Sequence, residues 1–261
     1  GNDTPGKGSA LKMIFEESTY GQARMLILLD GDLRNELTAW FRVYREVELE
    51  HLRTRPEREF FITARYARHF VDASLTRFVV GPLTTLLGRF VPGGISGDIV
   101  LSAGAVAKER GEWTEERRKY GTDISTTFDN LADANTDIYE VYLGAKLHDI
   151  TDEAKLSVMP GEVIGAALER ILFYRQEVLH VLQSDAPLSR PIQWDSSKTG
   201  ISFIDPGYTD AFDVDRKIAT LSDRWSSFQE DIHTVYGAED CRTLAEAVEA
   251  MHAAQEKSDV P

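Results

Sequence analysis

Val214, Ile218, Leu221, Trp225, Phe228, Ile232 and Val235 follow one another at spacings that alternate four and three. That rhythm puts all seven side chains on one side of an α-helix and matches the seam of a coiled coil. It restricts the fold more than any other feature of the chain, and it recurs upstream. Leu11, Phe15, Met25 and Leu29 lie on one helical stripe, which Asp30-Gly31-Asp32 breaks or loosens. Leu33, Leu37, Trp40, Tyr44 and Val47 resume the four-three rhythm. Pro56 suits the first turn of a helix reaching about Val80, and Ile124, Leu131 and Ile138 recur at heptad spacing in a long segment, 112–147. Another helix opens at Pro160.

These patterns predict an all-α protein, an elongated antiparallel bundle of five to seven helices, several of them long. A polar leader occupies 1–10, and the bundle runs over 11–182 with an apolar Gly/Pro hairpin at 78–107. An irregular connection follows at 183–208, with a short hairpin around 192–204. A C-terminal helical pair, 209–261, then packs on the bundle. The seams from Val214 to Val235 are the interaction candidates, facing either the bundle core or a second copy.

A chain of 261 residues is long enough for one large core. Its net charge of −14 excludes a nucleic-acid binder, which needs a basic face to displace counterions. The single cysteine, Cys241, excludes an internal disulfide. That composition suits the cytoplasm, and equally a protein exported to the periplasm or beyond after loss of an N-terminal segment.

Local motifs supply no assembled chemistry. "GGISGD" at 93–98 lacks the lysine and hydroxyl of a phosphate loop, and Asp98 stands where a nucleophile elbow on Ser96 needs glycine. "DANTDIYE" at 133–140 starts like a calcium loop but has Ile138 at the sixth position and Gly144 at the twelfth. Asp205, Asp210, Asp213 and Asp215 read as helix-capping acids that could hold a cation loosely. Glu-x-x-His recurs at Glu48/His51, Glu177/His180, Glu230/His233 and Glu249/His252. Two such pairs on facing helices, here Glu48, His51, Glu177 and His180, are how carboxylate bundles hold two metal ions. Solvated Glu–His pairing explains the pattern as well. The expectation is no cofactor, no resident metal and no catalytic residue.

The stretch 78–107 is almost uncharged. Phe78, Val79, Leu83, Leu86, Leu87, Phe90 and Val91 precede a turn at Pro92, Gly93, Gly94 and Gly97. Ile95, Ile99, Val100 and Leu101 lie within and beyond that turn. Neither half reaches the ~20 residues that span a bilayer. A buried corner is one reading; the other is a hairpin that meets lipid, flanked by Arg65, Arg68, Arg77, Lys108 and Arg110. An apolar hairpin between long amphipathic helices resembles the α-helical pore-forming toxins of the cytolysin A type. The resemblance implies a tongue released for membrane assembly.

The resulting functional expectation is a soluble, non-enzymatic bundle whose partner is another protein or a second copy, with no small-molecule substrate and no nucleic acid. A membrane-active protein using 78–107, with a membrane surface as partner, is the alternative, and the di-metal bundle is a further one.

Overall fold

The computed structural model describes residues 6–20, 22–67, 75–110, 113–148 and 153–196 and positions 201, 242, 246, 250 and 253. The chain divides into two compact units, Gly1–Pro206 and Gly207–Pro261. In the second, Arg242, Glu246, Ala250 and Ala253 are helical. The seam Val214 to Val235 lies outside the described residues.

Among its described residues the first unit carries a five-stranded mixed sheet, which overturns the all-α bundle. The strands are β1 (Met25–Leu28), β2 (Glu59–Ala67), β3 (Ile99–Ser102), β4 (Thr136–Ala145) and β5 (Ile192–Trp194). Their spatial order is β1-β3-β2-β4-β5. β3 is antiparallel to β1 and β2, whereas β2, β4 and β5 are mutually parallel. β1, β2, β4 and β5 therefore run one way and β3 the other. β5 pairs with β4 in parallel, and the second half of the hairpin expected around 192–204 lies outside the described residues.

Among the described residues seven α-helices accompany the sheet: α1 (Lys7–Tyr20), α2 (Thr38–Thr54), α3 (Gly81–Thr84), α4 (Ala103–Lys108), α5 (Thr122–Ala132), α6 (Glu153–Phe173) and α7 (Arg175–Leu182). Helix α6 begins before Pro160 and carries it in its interior. The expected helix after Pro56 is strand β2 in its first part, because "EFFITARYA" is rich in aromatic and β-branched residues. The heptad Ile124, Leu131, Ile138 crosses from α5 into β4, broken at Asp133.

Side chains alternate across the sheet, and each face has its own core. Phe60, Ile62, Ala64, Val100, Tyr139, Val141 and Leu143 meet Trp40, Val43, Tyr44 and Val47 of α2. On the other face Leu28, Phe61, Ile99, Leu101 and Ile138 meet Phe15 of α1, Val106 of α4, Ile124 and Phe128 of α5 and Val163 of α6.

The stretch 78–107 is no hairpin. It runs through a π turn (Thr76–Val80), α3, two 3-10 turns (Thr85–Leu87 and Pro92–Ile95), strand β3 and α4. Ile99, Val100 and Leu101 form an inner strand of the sheet, and Leu87 and Val91 are buried. Leu83, Leu86 and Ile95 pack against the same core, Val79 and Phe90 are partly buried, and Phe78 is exposed. Most of its apolar character is thus consumed by core packing. No helix among the described residues is long and apolar enough to cross a membrane.

Candidate functional site

Because β3 runs against its neighbours, its start and the ends of β1, β2 and β4 share one sheet edge. Four polar segments converge there: Asp30 after β1, Tyr66 near the end of β2, Ser96 and Asp98 before β3, and Lys146 after β4. In open α/β sheets ligands bind beyond the carboxyl ends of the strands.

Lys146 Nζ lies 2.7 Å from Asp30 Oδ2 and 2.7 Å from Asp98 Oδ2, and it donates to the Ser96 carbonyl at 2.8 Å. Lys7, at the start of α1, reaches the other oxygen of Asp30 at 3.0 Å and Asp123 of α5 at 2.8 Å. The Asp30 backbone N–H donates to Asp98 Oδ1 at 3.0 Å, and the Tyr66 hydroxyl donates to Asp98 Oδ2 at 2.6 Å. The result is an unbroken alternation, Asp123–Lys7–Asp30–Lys146–Asp98–Tyr66. Three carboxylates face two ammonium groups.

Local backbone devices aim these groups. The β2/β4 register shifts between Arg65/Tyr142 and Ala67/Ala145, and Gly144 in that interval has φ +78. Such a bulge re-aims the strand end, here toward Lys146. Gly97 has φ +80, and a Cβ there would overlap the Asp30 carboxylate. The loop before β3 thus needs glycine both for its backbone conformation and for the approach of Asp30.

The charges shift one another. Burial alone would raise the Asp30 carboxyl, but Lys7 and Lys146 outweigh it and lower it to about 2. Burial alone would lower the Lys7 ammonium; Asp123 and Asp30 outweigh that and hold it above the ordinary lysine range. Both groups are therefore fully charged at neutral pH.

The turn following β1 continues as Gly31, an exposed Asp32 and Leu33. Leu33 forms an antiparallel bridge with His148, and Arg34 N–H donates to the Leu147 carbonyl at 2.8 Å. Asn35 clamps the same segment, accepting from Leu147 N–H at 2.7 Å and donating to the Ala145 carbonyl at 2.7 Å. The Asp32 turn and the His148 segment are consequently held side by side.

Two of the four Glu-x-x-His pairs lie among the described residues, and these are not brought together; Glu230/His233 and Glu249/His252 lie outside them. Glu48 and His51 are buried on α2, where Arg45 pairs with Glu48. His51 contacts the Tyr139 hydroxyl at 3.0 Å and the Arg58 carbonyl at 2.9 Å. Glu177 and His180 are exposed on α7. Among the described residues no group of three or more His, Cys, Asp or Glu side chains could hold a metal ion.

Lys7, Asp30, Tyr66, Asp98, Asp123 and Lys146 were absent from the sequence-derived candidates. The available signal was "MLILL" followed by Asp-Gly-Asp, an apolar run of strand length ending in an acidic turn.

No protein-family model matches the sequence, and no curated protein does. Solved structures do. Glucosyl-3-phosphoglycerate synthase from Mycobacterium tuberculosis, in complex with Mn2+, uridine diphosphate and phosphoglyceric acid, aligns with TM-score 0.50 and 22% identity. That alignment covers 65% of this chain and 55% of the synthase. The same synthase with Mg2+ and uridine diphosphate gives 0.49 and 21%, covering 65% and 56%. With Mn2+, UDP-glucose and glycerol 3-phosphate it gives 0.48 and 24%, again covering 65% and 56%. The chain thus spans little more than half the length of these structures, and the likeness is one of fold.

The mixed sheet and that likeness of fold correct the functional expectations. The non-enzymatic bundle rested on helices that are partly strands, in a mixed sheet whose fold is shared with a solved synthase. The pore-forming alternative loses its hairpin to the sheet, and the di-metal alternative loses its facing pairs. The expectation of no small-molecule substrate meets a fold whose solved example holds uridine diphosphate and phosphoglyceric acid.

Proposed function

We propose that this chain carries the diphosphate-handling part of a glycosyltransferase that uses a nucleoside-diphosphate sugar. The observation that carries the reading is the pair of ammonium groups, Lys7 and Lys146, fixed on Asp30 at the carboxyl edge of the sheet. Support comes from a fold shared with an enzyme crystallised with Mn2+ and uridine diphosphate.

When the bond between a sugar and a diphosphate breaks, negative charge grows on the leaving phosphate. Ammonium groups already in place stabilise that charge without reorganising at the moment of reaction. Lys146 is nearly inaccessible and its position is set by Asp30, Asp98 and the Ser96 carbonyl, so it is preorganised in this sense. An entering diphosphate would take over contacts that Asp30 now makes to the two lysines. Tyr66 would keep Asp98 in place meanwhile, since its hydroxyl donates to the carboxylate independently of either lysine.

A divalent cation, where the reaction needs one, would be held largely by the diphosphate, with Asp32 of the neighbouring turn as the protein carboxylate. Both oxygens of Asp30 are engaged by lysines, so it is a poor ligand. Asp32 is exposed, and its turn is paired with the segment bearing His148. One carboxylate suffices for a hard cation that completes its shell with phosphate oxygens and water. When bound, it would neutralise the diphosphate as the sugar leaves.

Calorimetric titration of the full chain with uridine diphosphate in the presence of Mn2+ tests the proposal. Saturable binding is expected, on the order of 10–100 μM, weakened ~10-fold or more in Lys146→Met. Absence of saturable binding by uridine, guanosine and adenosine diphosphates alike overturns it.

A further inference from the structure

We infer that Trp40 of α2 is a positioning residue for the Lys146 ammonium, acting through the Tyr66 ring and through the backbone of β4. Its consequence for ligand binding rests on the diphosphate-handling reading; its hold on Lys146 does not.

Trp40 is buried in the core between α2 and the sheet, and two of its contacts reach toward the charged edge. The first is to Tyr66, whose ring centroid lies 5.4 Å from that of the indole, with 43° between the planes. Lys146 Nζ stands over the same tyrosine ring, 5.4 Å from its centroid. An ammonium at that range is attracted to the negative face of the ring. Tyr66 is thereby fixed at its tip, where the hydroxyl donates to Asp98 at 2.6 Å, and along its ring by Trp40. When a diphosphate takes the place of Asp30, Asp98, the Ser96 carbonyl and this ring still hold the ammonium.

The second contact is a hydrogen bond. A buried indole N–H needs an acceptor, and here it donates to the Leu143 carbonyl at 3.0 Å. Leu143 directly precedes Gly144, the residue of positive φ in the bulge that turns β4 toward Lys146. On the other side of that glycine the Ala145 carbonyl accepts from Asn35 at 2.7 Å. One short stretch of chain, 35–40, therefore grips the backbone on both sides of the bulge. A bulge re-aims a side chain only while its flanks stay in place. Phenylalanine at position 40 would fill much of the same space but has no N–H to hold Leu143.

Two readouts test the inference on the full chain. In proton–carbon correlation NMR the Lys146 ε-methylene, identified as the signal missing from Lys146→Met, is expected upfield of ordinary lysine values because of the ring beneath it. Trp40→Phe should move that signal toward the ordinary position. The same variant should weaken binding of uridine diphosphate with Mn2+ ~5-fold in the wild-type background and leave it unchanged in Lys146→Met, since residues acting through one group are non-additive. Val43→Ala, in the same helix and core, should lower stability while moving neither readout. Tyr66→Leu carries both readouts should Trp40→Phe not fold, because it removes the ring through which Trp40 acts. An unmoved Lys146 signal in the folded variant overturns the inference, as does an equal loss of binding in both backgrounds. So does a Val43→Ala chain whose Lys146 signal moves as far, since Trp40 then contributes packing alone. A wild-type chain that binds no nucleoside diphosphate sinks the glycosyltransferase reading instead, and the Lys146 signal then decides this inference by itself.

Discussion

Lys146 Nζ and Asp30 Oδ2 are 2.7 Å apart although 116 residues separate them in the chain. Lys146 is 4% exposed at its side chain and also holds Asp98, which is fully buried. Removing one partner of a buried ion pair leaves its counterpart uncompensated, which typically costs about 3–5 kcal/mol. Lys146→Met should therefore destabilise the fold by about that amount in urea unfolding, beyond its effect on nucleotide binding. Lys146→Met combined with Asp98→Asn should recover part of the loss, because the stranded charge is gone. If the double variant is as unstable as the sum of the two singles, the residues do not act as a pair.

Asp30 makes the fold acid-sensitive in a defined window. Its carboxyl is lowered from 3.8 to about 2, with burial opposing the shift and Lys7 and Lys146 prevailing. A lowered folded-state value means stability that is present above the unfolded value and lost as pH falls through the folded one. At about 1.4 kcal/mol per unit, the contribution is on the order of 2 kcal/mol. Asp30→Asn should remove that portion of the decline between pH 4 and pH 2 in thermal melts. An unchanged slope in the variant would mean that Asp30 is not the titrating group.

Gly97 is the most exacting backbone position of the site. Alanine there meets both an unfavourable positive φ and the Asp30 carboxylate. The expected loss is about 2 kcal/mol or more, with Asp30 displaced from Lys146. Denaturation measures the first effect. The second reads out as a rise of the Asp30 titration toward ordinary carboxylate values in NMR. Wild-type stability in Gly97→Ala would remove the close approach from this account.

Helical periodicity was legible where a helix is amphipathic. Trp40, Tyr44 and Val47 recur at four and three, and they are the buried face of α2. The strands were not legible for a physical reason. β4 is buried along both faces, and the apolar run of β1 shows no alternation either, so the period of two that identifies a half-exposed strand is missing. A spacing of seven, as from Leu131 to Ile138, then reads as helix although Asp133 ends α5 between them. The site was illegible for another reason. Lys7, Asp30, Asp98 and Lys146 come from four segments whose only relation is the order of strands in the sheet, and no local spacing encodes that order.

Glu109 should set the alkaline side of the stability profile. It is fully buried at the end of α4, paired with Arg117 and accepting from Thr126 at 3.2 Å and Asn130 at 3.0 Å. Arg117 is shared with Asp129 at 2.8 Å, so one guanidinium serves two carboxylates. Burial raises the Glu109 carboxyl far above the usual carboxylate range; Arg117 opposes the shift and Asp129 adds to it. A raised folded-state value has the opposite sign to that of Asp30. Its stability is fully present below the unfolded value near 4.5 and is lost as pH rises through the folded one. Glu109→Gln keeps the shape and cannot ionise, so its stability relative to wild type should improve steadily as pH increases from 5 toward 9. Urea unfolding of both proteins across that range gives the comparison. A constant difference between them would show that Glu109 stays ionised throughout, with Arg117 outweighing burial.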